Sequence, residues 1–250
     1  MKVYFIGAGP GDPELITVKG KKAIERSGYC IYTGSLINPD ILKYCRADSK
    51  KYNSASMALE EIISVMEEAK AANEDVARLH TGDPSIYGAI QEQMTELDKR
   101  KIDYEVIPGV SSFLAAASAL KQELTLPGIS QTVIITRMEG RTPVPTTERL
   151  EILAKSKATL CIFLSIREID KVVNILKPIY GESCPAAIVY KASWKDEKVI
   201  VSKLSRIADE ALQNNIKNTA IIFVGNALSN DFEYSKLYDK HFAHTYRQES

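Results

Sequence analysis

The chain opens with a strand-like run, a glycine- and proline-rich turn and a helical pattern, which is the order of a βα unit. Residues 2–8 are mostly apolar and include Val, Tyr, Phe and Ile, so they predict a strand. The turn reads GAGPGDP, Thr17 stands where a helix N-cap is expected, and Gly28 lies just beyond the helical pattern. This segment therefore predicts a strand, a tight turn and a helix in succession.

The turn imitates a dinucleotide-binding fingerprint and then departs from it. Counting from Gly7, that fingerprint needs a glycine at the sixth position, where this chain has Asp12. Asp12 and Glu14 place negative charge where a helix N-terminus would otherwise attract phosphate. The next predicted strand, residues 29–33, also ends without the acidic residue that would bind the ribose of NAD. We therefore expect no phosphate at this turn.

Strand-like and helical runs alternate through almost the whole chain, which predicts an α/β fold with two α/β domains. The segment 124–129 interrupts this alternation with a Pro-Gly pair and is the best candidate for a domain boundary. The expected division is an N-terminal α/β domain over residues 1–126 and a C-terminal α/β domain over residues 127–250.

The C-terminal domain is expected to contain a mixed sheet. Strands predicted at 186–190 and 198–201 are too close in sequence for a helical crossover, so they predict a hairpin around Trp194. Further strands are predicted at 131–136, 159–164 and 220–224, with helices near 147–155, 167–176 and 205–214.

Charge and composition exclude several classes of partner. The formal net charge is zero, so no general basic field would recruit nucleic acid or an anionic membrane. No apolar run approaches the roughly 18 residues of a membrane span. The four cysteines show no C-x-x-C spacing, which favours reduced thiols, no protein-bound metal and a cytoplasmic location.

Several loops that follow predicted strands are rich in Gly, Pro and small polar residues: 9–12, 81–85, 108–112 and 136–145. In an open α/β sheet, ligands bind outside the carboxyl ends of the strands, so these loops are expected to converge on a site. Asp83 has two interpretations in this setting. It either caps a following helix, predicted from residue 85 to 100, or accepts ribose hydroxyls of a bound nucleoside.

The segments GAGPGDPELITVKG, LHTGDPSIYGAI, PGVSS and TVIITRMEGRTPVP together resemble the tetrapyrrole methylase family, whose members use S-adenosylmethionine. The resemblance covers nearly the whole chain in the expected order, including VYKASWKDEKV. Within the family, ELTLP combined with TRMEGRTPVP most resembles the members that methylate C-11 of precorrin-4 or cobalt-precorrin-4 in cobalamin biosynthesis. One segment differs, because many relatives read LLTLKA where this chain reads LITVKG.

The resemblance implies two α/β domains with the active site in the cleft between them, and a homodimer. It also implies that S-adenosylmethionine binds folded, away from the first glycine-rich turn, and leaves as S-adenosylhomocysteine. Matching motif positions assign the cofactor contacts to Pro10, Gly82, Asp83, Ile86, Ser111, Ser112, Leu164 and Tyr190.

The substrate implied by the resemblance carries many carboxylates, so basic side chains are needed to bind it. Arg137 and Arg141 flank the Glu139-Gly140 turn and are candidates, with surface charge or inter-domain ion pairing as the alternative. Asp12 is a further substrate-side candidate, although ordering of its own loop explains it equally well. No catalytic residue is assigned, because attack on a sulfonium-bound methyl mainly requires positioning of the two reactants.

The three histidines fit no catalytic triad or metal-ligand pattern. His80 is expected to be a hydrogen-bonded packing residue at the end of a strand, and His241 and His244 to be exposed. Four other functions remain open at this point: a related tetrapyrrole methylase of other regiochemistry, a methyltransferase of the same fold acting on RNA or protein, a nicotinamide oxidoreductase, and a binding module without activity. The zero net charge disfavours the RNA or protein methyltransferase, and Asp12 disfavours the oxidoreductase.

Overall fold

The computed structural model describes residues 1–140, 142–229 and 233–235, and within them strands and helices alternate as predicted. The strands are β1 Val3–Gly7, β2 Tyr29–Tyr32, β3 Lys50–Asn53, β4 Val76–His80, β5 Tyr104–Ile107, β6 Val133–Arg137, β7 Thr159–Phe163, β8 Pro185–Tyr190, β9 Lys198–Lys203 and β10 Ala220–Val224. The helices are α1 Val18–Arg26, α2 Leu59–Ala71, α3 Gln91–Lys99, α4 Ser112–Leu120, α5 Leu150–Leu153, α6 Ile169–Tyr180 and α7 Ile207–Gln213.

Two helix starts show how local chemistry sets the boundaries. Thr17 caps α1 as predicted, with its hydroxyl accepting a hydrogen bond from the backbone N–H of Gly20 at 3.1 Å. The helix predicted from residue 85 begins only at Gln91. Tyr87 and Ala89 adopt φ values of +54° and +49°, which lie in the left-handed region and cannot continue a right-handed helix.

The first sheet is entirely parallel, in the order β3-β2-β4-β1-β5. Strands β1 and β4 are buried along their whole length, as expected when helices cover both faces of a sheet. Alternate side chains along a strand point to opposite faces. On one face, Val3, Phe5 and Val76 pack with α2 and α3, and on the other, Ile6 and Leu79 pack with α1.

Strand β3 was not anticipated from the sequence. It is the edge strand of the first sheet and pairs with β2 alone. Its residues, Lys50 to Asn53, are polar and largely exposed, apart from Tyr52, which stacks on Tyr29 with ring centroids 6.1 Å apart. A polar edge strand lacks the apolar pattern that marks a buried one, which is why it escaped prediction.

The second sheet is mixed, as predicted, in the order β6-β7-β10-β8-β9. Strands β6 and β7 are parallel, whereas β10 runs antiparallel to both β7 and β8. The predicted hairpin is confirmed, because β8 and β9 are antiparallel partners with Pro185 opposite Lys203 and Tyr190 opposite Lys198. A core of aliphatic side chains, including Leu160, Val172 and Ile222, packs around this sheet.

The chain divides into two compact units. The first contains Met1–Ala115 together with Ala192–Lys195, and the second contains Ala116–Lys191 and the described residues from Asp196 onward. The division lies within α4, whereas the sequence predicted a domain boundary between residues 126 and 127. The boundary between residues 126 and 127 stays a prediction.

Within the described residues, the four cysteines are free. In the same part of the chain, no three or more His, Cys, Asp and Glu side chains come together as a metal site would require. None of the described helices combines the length and the hydropathy needed to cross a membrane.

Candidate active site

Three of the predicted loops meet at the carboxyl edge of the first sheet, where β4, β1 and β5 lie side by side. Gly9 and Gly82 form an isolated antiparallel bridge, so the loops after β1 and β4 are joined by backbone hydrogen bonds. The loop after β5 approaches as closely, because a Cβ built on Gly7 would lie 2.6 Å from the Cα of Gly109. The expected convergence is thus observed for these three loops, and its extension to the fourth loop, 136–145, stays a prediction.

Asp83 holds two of these loops together. One carboxylate oxygen accepts from the backbone N–H of Ser85 at 2.8 Å, and the other accepts from the N–H of Gly109 at 2.9 Å. Since α3 begins only at Gln91, Asp83 does not cap that helix. The carboxylate is half-buried and both of its oxygens are engaged within the protein. The predicted contact of Asp83 with the cofactor stays a prediction.

Most of the other residues of the first unit that were predicted to contact the cofactor lie in or next to the same loops. Gly82 and Ser111 are buried, and Ile86 and Ser112 are half-buried. Gly82 takes a left-handed φ of +64°, and Ser112 is the first residue of α4. These residues therefore share one edge of one sheet, as a binding loop cluster requires.

The first glycine-rich turn is filled by protein atoms. The carbonyl of Pro10 accepts a hydrogen bond from the indole Nε1–H of Trp194 at 2.8 Å, and the Ser193 hydroxyl accepts from the N–H of Asp12 at 3.0 Å. A Cβ on Gly11 would lie 2.1 Å from Cδ1 of Trp194. The Asp12 carboxylate accepts from the N–H of Glu14 at 2.9 Å and so caps a short 3-10 turn.

This arrangement explains why the turn is not a nucleotide-binding turn. A phosphate cradle needs free backbone N–H groups and open space above a helix N-terminus. Here the space is occupied by the Trp194 ring, and the N–H groups of Asp12 and Glu14 already have partners. The expectation that no phosphate binds at this turn agrees with the geometry. The proposed contact of Asp12 with substrate stays a prediction.

Arg78 was missed in the sequence analysis. It lies in the buried strand β4, is only 5% exposed, and occupies the face that packs against α2 and α3. Its Nε–H donates to Gln93 at 3.1 Å and its Nη1 donates to the hydroxyl of Ser54 at 3.0 Å. Burial lowers the pKa of Arg78 to about 10. A charged residue within a strand that is otherwise apolar up to His80 is the signal that would have identified it.

His80 follows on the same face of β4 and is 7% exposed. It was expected to be a hydrogen-bonded packing residue, and it does pack, with its ring centroid 5.9 Å from that of Phe5. However, its Nε2 is buried without a partner among the described residues. Burial, and secondarily the charge of Arg78, lowers the pKa of His80 to about 3, although a backbone contact with Gly88 acts in the opposite direction.

In the second unit, the loops after the parallel strands β6 and β7 are connected to each other. The Ser165 hydroxyl accepts from the N–H of Met138 at 2.8 Å and donates to the carbonyl of Phe163 at 2.6 Å. Leu164 lies between these residues with φ of +53° and is 74% exposed. An exposed leucine in a strained backbone conformation is typical of a ligand-binding position rather than a packing one.

Tyr190 ends β8 and is half-buried, with its ring packed against the core of the second unit. The Nζ of Lys191 lies 5.4 Å from the centroid of that ring and forms an ion pair with Asp196 at 2.6 Å. Tyr190 and Leu164 both lie at the ends of strands, and their contact with the cofactor stays a prediction.

Arg137, the last residue of β6, organises its own loop. Its Nη1 donates to the carbonyls of Met138 and Thr142 at 3.2 and 3.1 Å, and its Nη2 donates to the carbonyl of Pro143 at 2.8 Å. The side chain has no carboxylate partner among the described residues, so its positive charge is not neutralised there. Arg141, His241 and His244 lie outside the described residues.

Comparisons with known proteins show the family to which this chain is similar. The family model described as Tetrapyrrole (Corrin/Porphyrin) Methylases matches residues 2–208. A cobalt-precorrin-4 C(11)-methyltransferase of Methanocaldococcus jannaschii is 56% identical over 249 residues, covering 99% of this chain and 96% of that relative. A precorrin-4 C(11)-methyltransferase of a Sinorhizobium species is 45% identical over 249 residues, covering 99% and 98% respectively.

Solved structures give the same result. The X-ray structure of a cobalt precorrin-4 methyltransferase matches with a TM-score of 0.89 and 43% identity, covering 91% of this chain and 96% of that one. A uroporphyrin-III C-methyltransferase from Thermus thermophilus in complex with S-adenosylhomocysteine shares the fold, with a TM-score of 0.73 and 23% identity over 91% of this chain and 93% of that one. The α/β fold with two sheets, the predicted resemblance and the length of the family match together show that the chain belongs to the tetrapyrrole methylase family.

Proposed function

We propose that the protein transfers a methyl group from S-adenosylmethionine to C-11 of precorrin-4 or of cobalt-precorrin-4 in cobalamin biosynthesis. The observation that carries this proposal is the identity of 56% and 45% with two C(11)-methyltransferases, each over 99% of this chain. Relatives are named for both the cobalt-containing and the cobalt-free substrate, so the proposal includes both.

The cofactor site we propose comprises Pro10, Gly82, Asp83, Ile86, Ser111, Ser112, Leu164 and Tyr190. The geometry supports a ligand without phosphate, because Trp194 fills the first glycine-rich turn. The geometry also supports a site at the carboxyl edge of the first sheet, because the loops after β1, β4 and β5 meet there. The placement of this site in a cleft between the two domains rests on the family resemblance alone.

The chemistry asked of the protein is positioning. Bound S-adenosylmethionine would supply an electrophilic methyl group on its sulfonium, and the residues assigned above would hold that methyl toward C-11 of the substrate. Holding two reactants in near-attack geometry replaces an encounter in solution and lowers the entropic part of the barrier. The backbone bridge between Gly9 and Gly82 fixes two of the loops relative to each other. The hydrogen bond from the Gly109 N–H to the Asp83 carboxylate fixes the third, and fixed loops suit the positioning of a ligand.

Two finer features belong to the same proposal. The family resemblance supports a homodimer in the cytoplasm, and multi-angle light scattering of the purified chain tests the dimer. Substrate binding is assigned to Asp12, Arg137 and Arg141. The pairing of Arg137 with three backbone carbonyls leaves its charge uncompensated by any described carboxylate, which supports a role facing an anionic ligand.

Labelled methyl transfer tests the proposal directly. The protein is incubated with S-adenosylmethionine carrying a ¹³C methyl and with precorrin-4, with and without cobalt. The expected product carries the label at C-11, located by carbon NMR. A label at another ring carbon would overturn the assignment of position, and transfer to RNA or protein in place of precorrin-4 would overturn the substrate class.

A further inference from the structure

A cavity of about 380 Å³ lies within the first unit, on the side of the sheet covered by α2 and α3. Arg78 and His80 of β4 line it together with Gln93 of α3, and Leu59 and Ile62 of α2 form an apolar wall. None of the residues assigned above to the cofactor or to substrate lines this cavity. It is therefore a separate feature of the molecule that the proposed function has not used.

Arg78 is a buried charge without a counter-charge. Its described partners, Gln93 and Ser54, are neutral, and its Nη2 hydrogens have no hydrogen bond to any described residue. No described Asp or Glu lies within 4.0 Å of it, although Glu92 lines the same cavity. An isolated buried cation is costly, and such groups are normally paired with an anion or bound to a ligand. The missing anion is the first indication of a ligand.

The neutral partners of Arg78 are themselves fixed. The Gln93 amide nitrogen donates to the carbonyl of Ala89 at 2.8 Å, which directs its oxygen toward Arg78. The Ser54 hydroxyl lies 3.2 Å from the carbonyl of Tyr32 and 3.3 Å from the hydroxyl of Thr33. The guanidinium is thus held in place before any ligand arrives, so little ordering entropy is lost on binding.

His80 is an independent second indication. Its Nε2 is buried and has no partner among the described residues, although buried polar atoms are nearly always paired. Since Arg78 and His80 are two residues apart on one strand, their side chains lie on the same face of the sheet. Arg78, with its fixed guanidinium, and His80, with its unpaired Nε2, therefore both line a cavity whose other lining residues include Leu59 and Ile62.

Such a cavity matches a short acidic side chain with methylene groups. The carboxylate meets the planar fork of a guanidinium, which suits it geometrically. The methylene groups contact Leu59 and Ile62. We propose that Arg78 binds a carboxylate side chain of the tetrapyrrole substrate in this cavity, beside His80. This inference rests on the proposed function, because the substrate is what supplies the carboxylate.

Binding of a stable porphyrin separates this inference from catalysis. Uroporphyrin III, whose ring carries acetate and propanoate side chains, serves as the probe, and its fluorescence is titrated with protein. Arg78→Gln is expected to weaken probe binding about tenfold, or about 1.4 kcal/mol, while calorimetric affinity for S-adenosylhomocysteine changes less than twofold. Arg206→Gln removes an exposed arginine and serves as the matched control, with no expected change in either affinity.

The second readout needs no substitution at Arg78. The chain has three histidines, so ¹⁵N-histidine labelling gives a simple spectrum, and His80 is assigned with a His241→Gln, His244→Gln double variant. Addition of uroporphyrin III is expected to shift the His80 Nε2 resonance in the wild type. This measurement decides the question even if Arg78→Gln fails to fold.

Three results would overturn the inference. The first is equal probe affinity in a folded Arg78→Gln variant, and the second is a His80 resonance that the probe does not move. The third is a loss of S-adenosylhomocysteine affinity in place of probe affinity, which would assign the carboxylate to the cofactor. Failure of the wild type to methylate precorrin-4 is a different result, because it overturns the proposed function and leaves the binding measurements interpretable.

Discussion

The indole N–H of Trp194 donates a hydrogen bond to the carbonyl of Pro10 at 2.8 Å, across 184 positions of the chain. Both residues belong to the first unit, and the contact joins Trp194 to the first glycine-rich turn. The ring lies so close to Gly11 that no side chain fits there. The turn that imitates a nucleotide fingerprint is thus closed by an aromatic residue from far along the sequence.

Gly11→Ala tests this closure. The added Cβ would lie 2.1 Å from Cδ1 of Trp194, so the ring must move. Overpacking of this kind costs about 1–3 kcal/mol. Because Trp194 is the only tryptophan, its emission reports the displacement, and we expect a red shift with a lower melting temperature. Gly140→Ala is the control, since no atom of the described residues lies within 4 Å of a Cβ built there, and equal effects in both variants would contradict this explanation.

Ligand preference follows from the same closure. S-adenosylhomocysteine is expected to bind with micromolar or better affinity, about −8 kcal/mol or more favourable. NAD is expected not to bind, because Trp194 occupies the turn and Asp12 and Glu14 would repel its pyrophosphate. Isothermal titration calorimetry with both ligands checks this. Tight binding of NAD with no heat from S-adenosylhomocysteine would contradict both the site and the proposed function.

Asp83→Ala is expected to affect both binding and folding. The carboxylate accepts from two backbone N–H groups in different loops, so its loss affects the loops as well as the ligand. Hydrogen bonds to a charged group contribute about 1.5–3 kcal/mol. We therefore expect a measurable loss of stability in urea together with weaker S-adenosylhomocysteine binding. Asp103→Ala, at an exposed position, is the control. Unchanged cofactor affinity would leave Asp83 a purely structural residue.

Two substitutions of Arg137 separate the effect of its charge on substrate binding from the effect of its hydrogen bonds on the loop. Arg137→Ala is expected to raise the KM for the tetrapyrrole about tenfold, or about 1.4 kcal/mol, with little change in cofactor affinity. Arg137→Lys keeps the charge but loses the fork that contacts Met138, Thr142 and Pro143. A lysine variant close to wild type would indicate direct charge pairing.

A lysine variant as impaired as the alanine variant would instead indicate that Arg137 acts by ordering its loop. The wild-type KM should also rise with ionic strength, because partly exposed ion pairs are screened by salt. Arg149→Ala, at an exposed position, is the matched control. An unchanged KM in both Arg137 variants would remove this residue from the substrate site.

Stability is expected to fall as the pH is lowered below about 6.5. The pKa of His80 is lowered to about 3 in the folded protein, so between these values the unfolded state binds a proton that the folded state does not. The folded state therefore loses up to about 1.4 kcal/mol per pH unit in this window. Urea unfolding at pH 7 and pH 5.5 should show this slope in the wild type and a reduced slope in His80→Gln.

Local sequence patterns were enough to predict much of the fold. Alternating apolar runs predicted most strands, the spacing of β8 and β9 predicted their hairpin, and Thr17 predicted the start of α1. These features depend on a few neighbouring residues, whose backbone preferences and polarity are visible in the sequence. The family resemblance was likewise carried by short segments in a fixed order, and the family match over residues 2–208 confirms it.

Tertiary structure decided the features that join distant residues. Arg78 takes its partners from Ser54 and Gln93, and Pro10 takes its partner from Trp194, so neither arrangement follows from any local pattern. Tyr87 shows that the observed backbone can also differ from the local pattern within one loop. The pattern there predicted a helix, but the backbone of Tyr87 is left-handed. Secondary-structure propensities change the free energy of folding by a fraction of a kcal/mol per residue. Packing or the burial of a single charge changes it by several kcal/mol. That difference in magnitude is why the sequence determined the elements and the folded chain determined their chemistry.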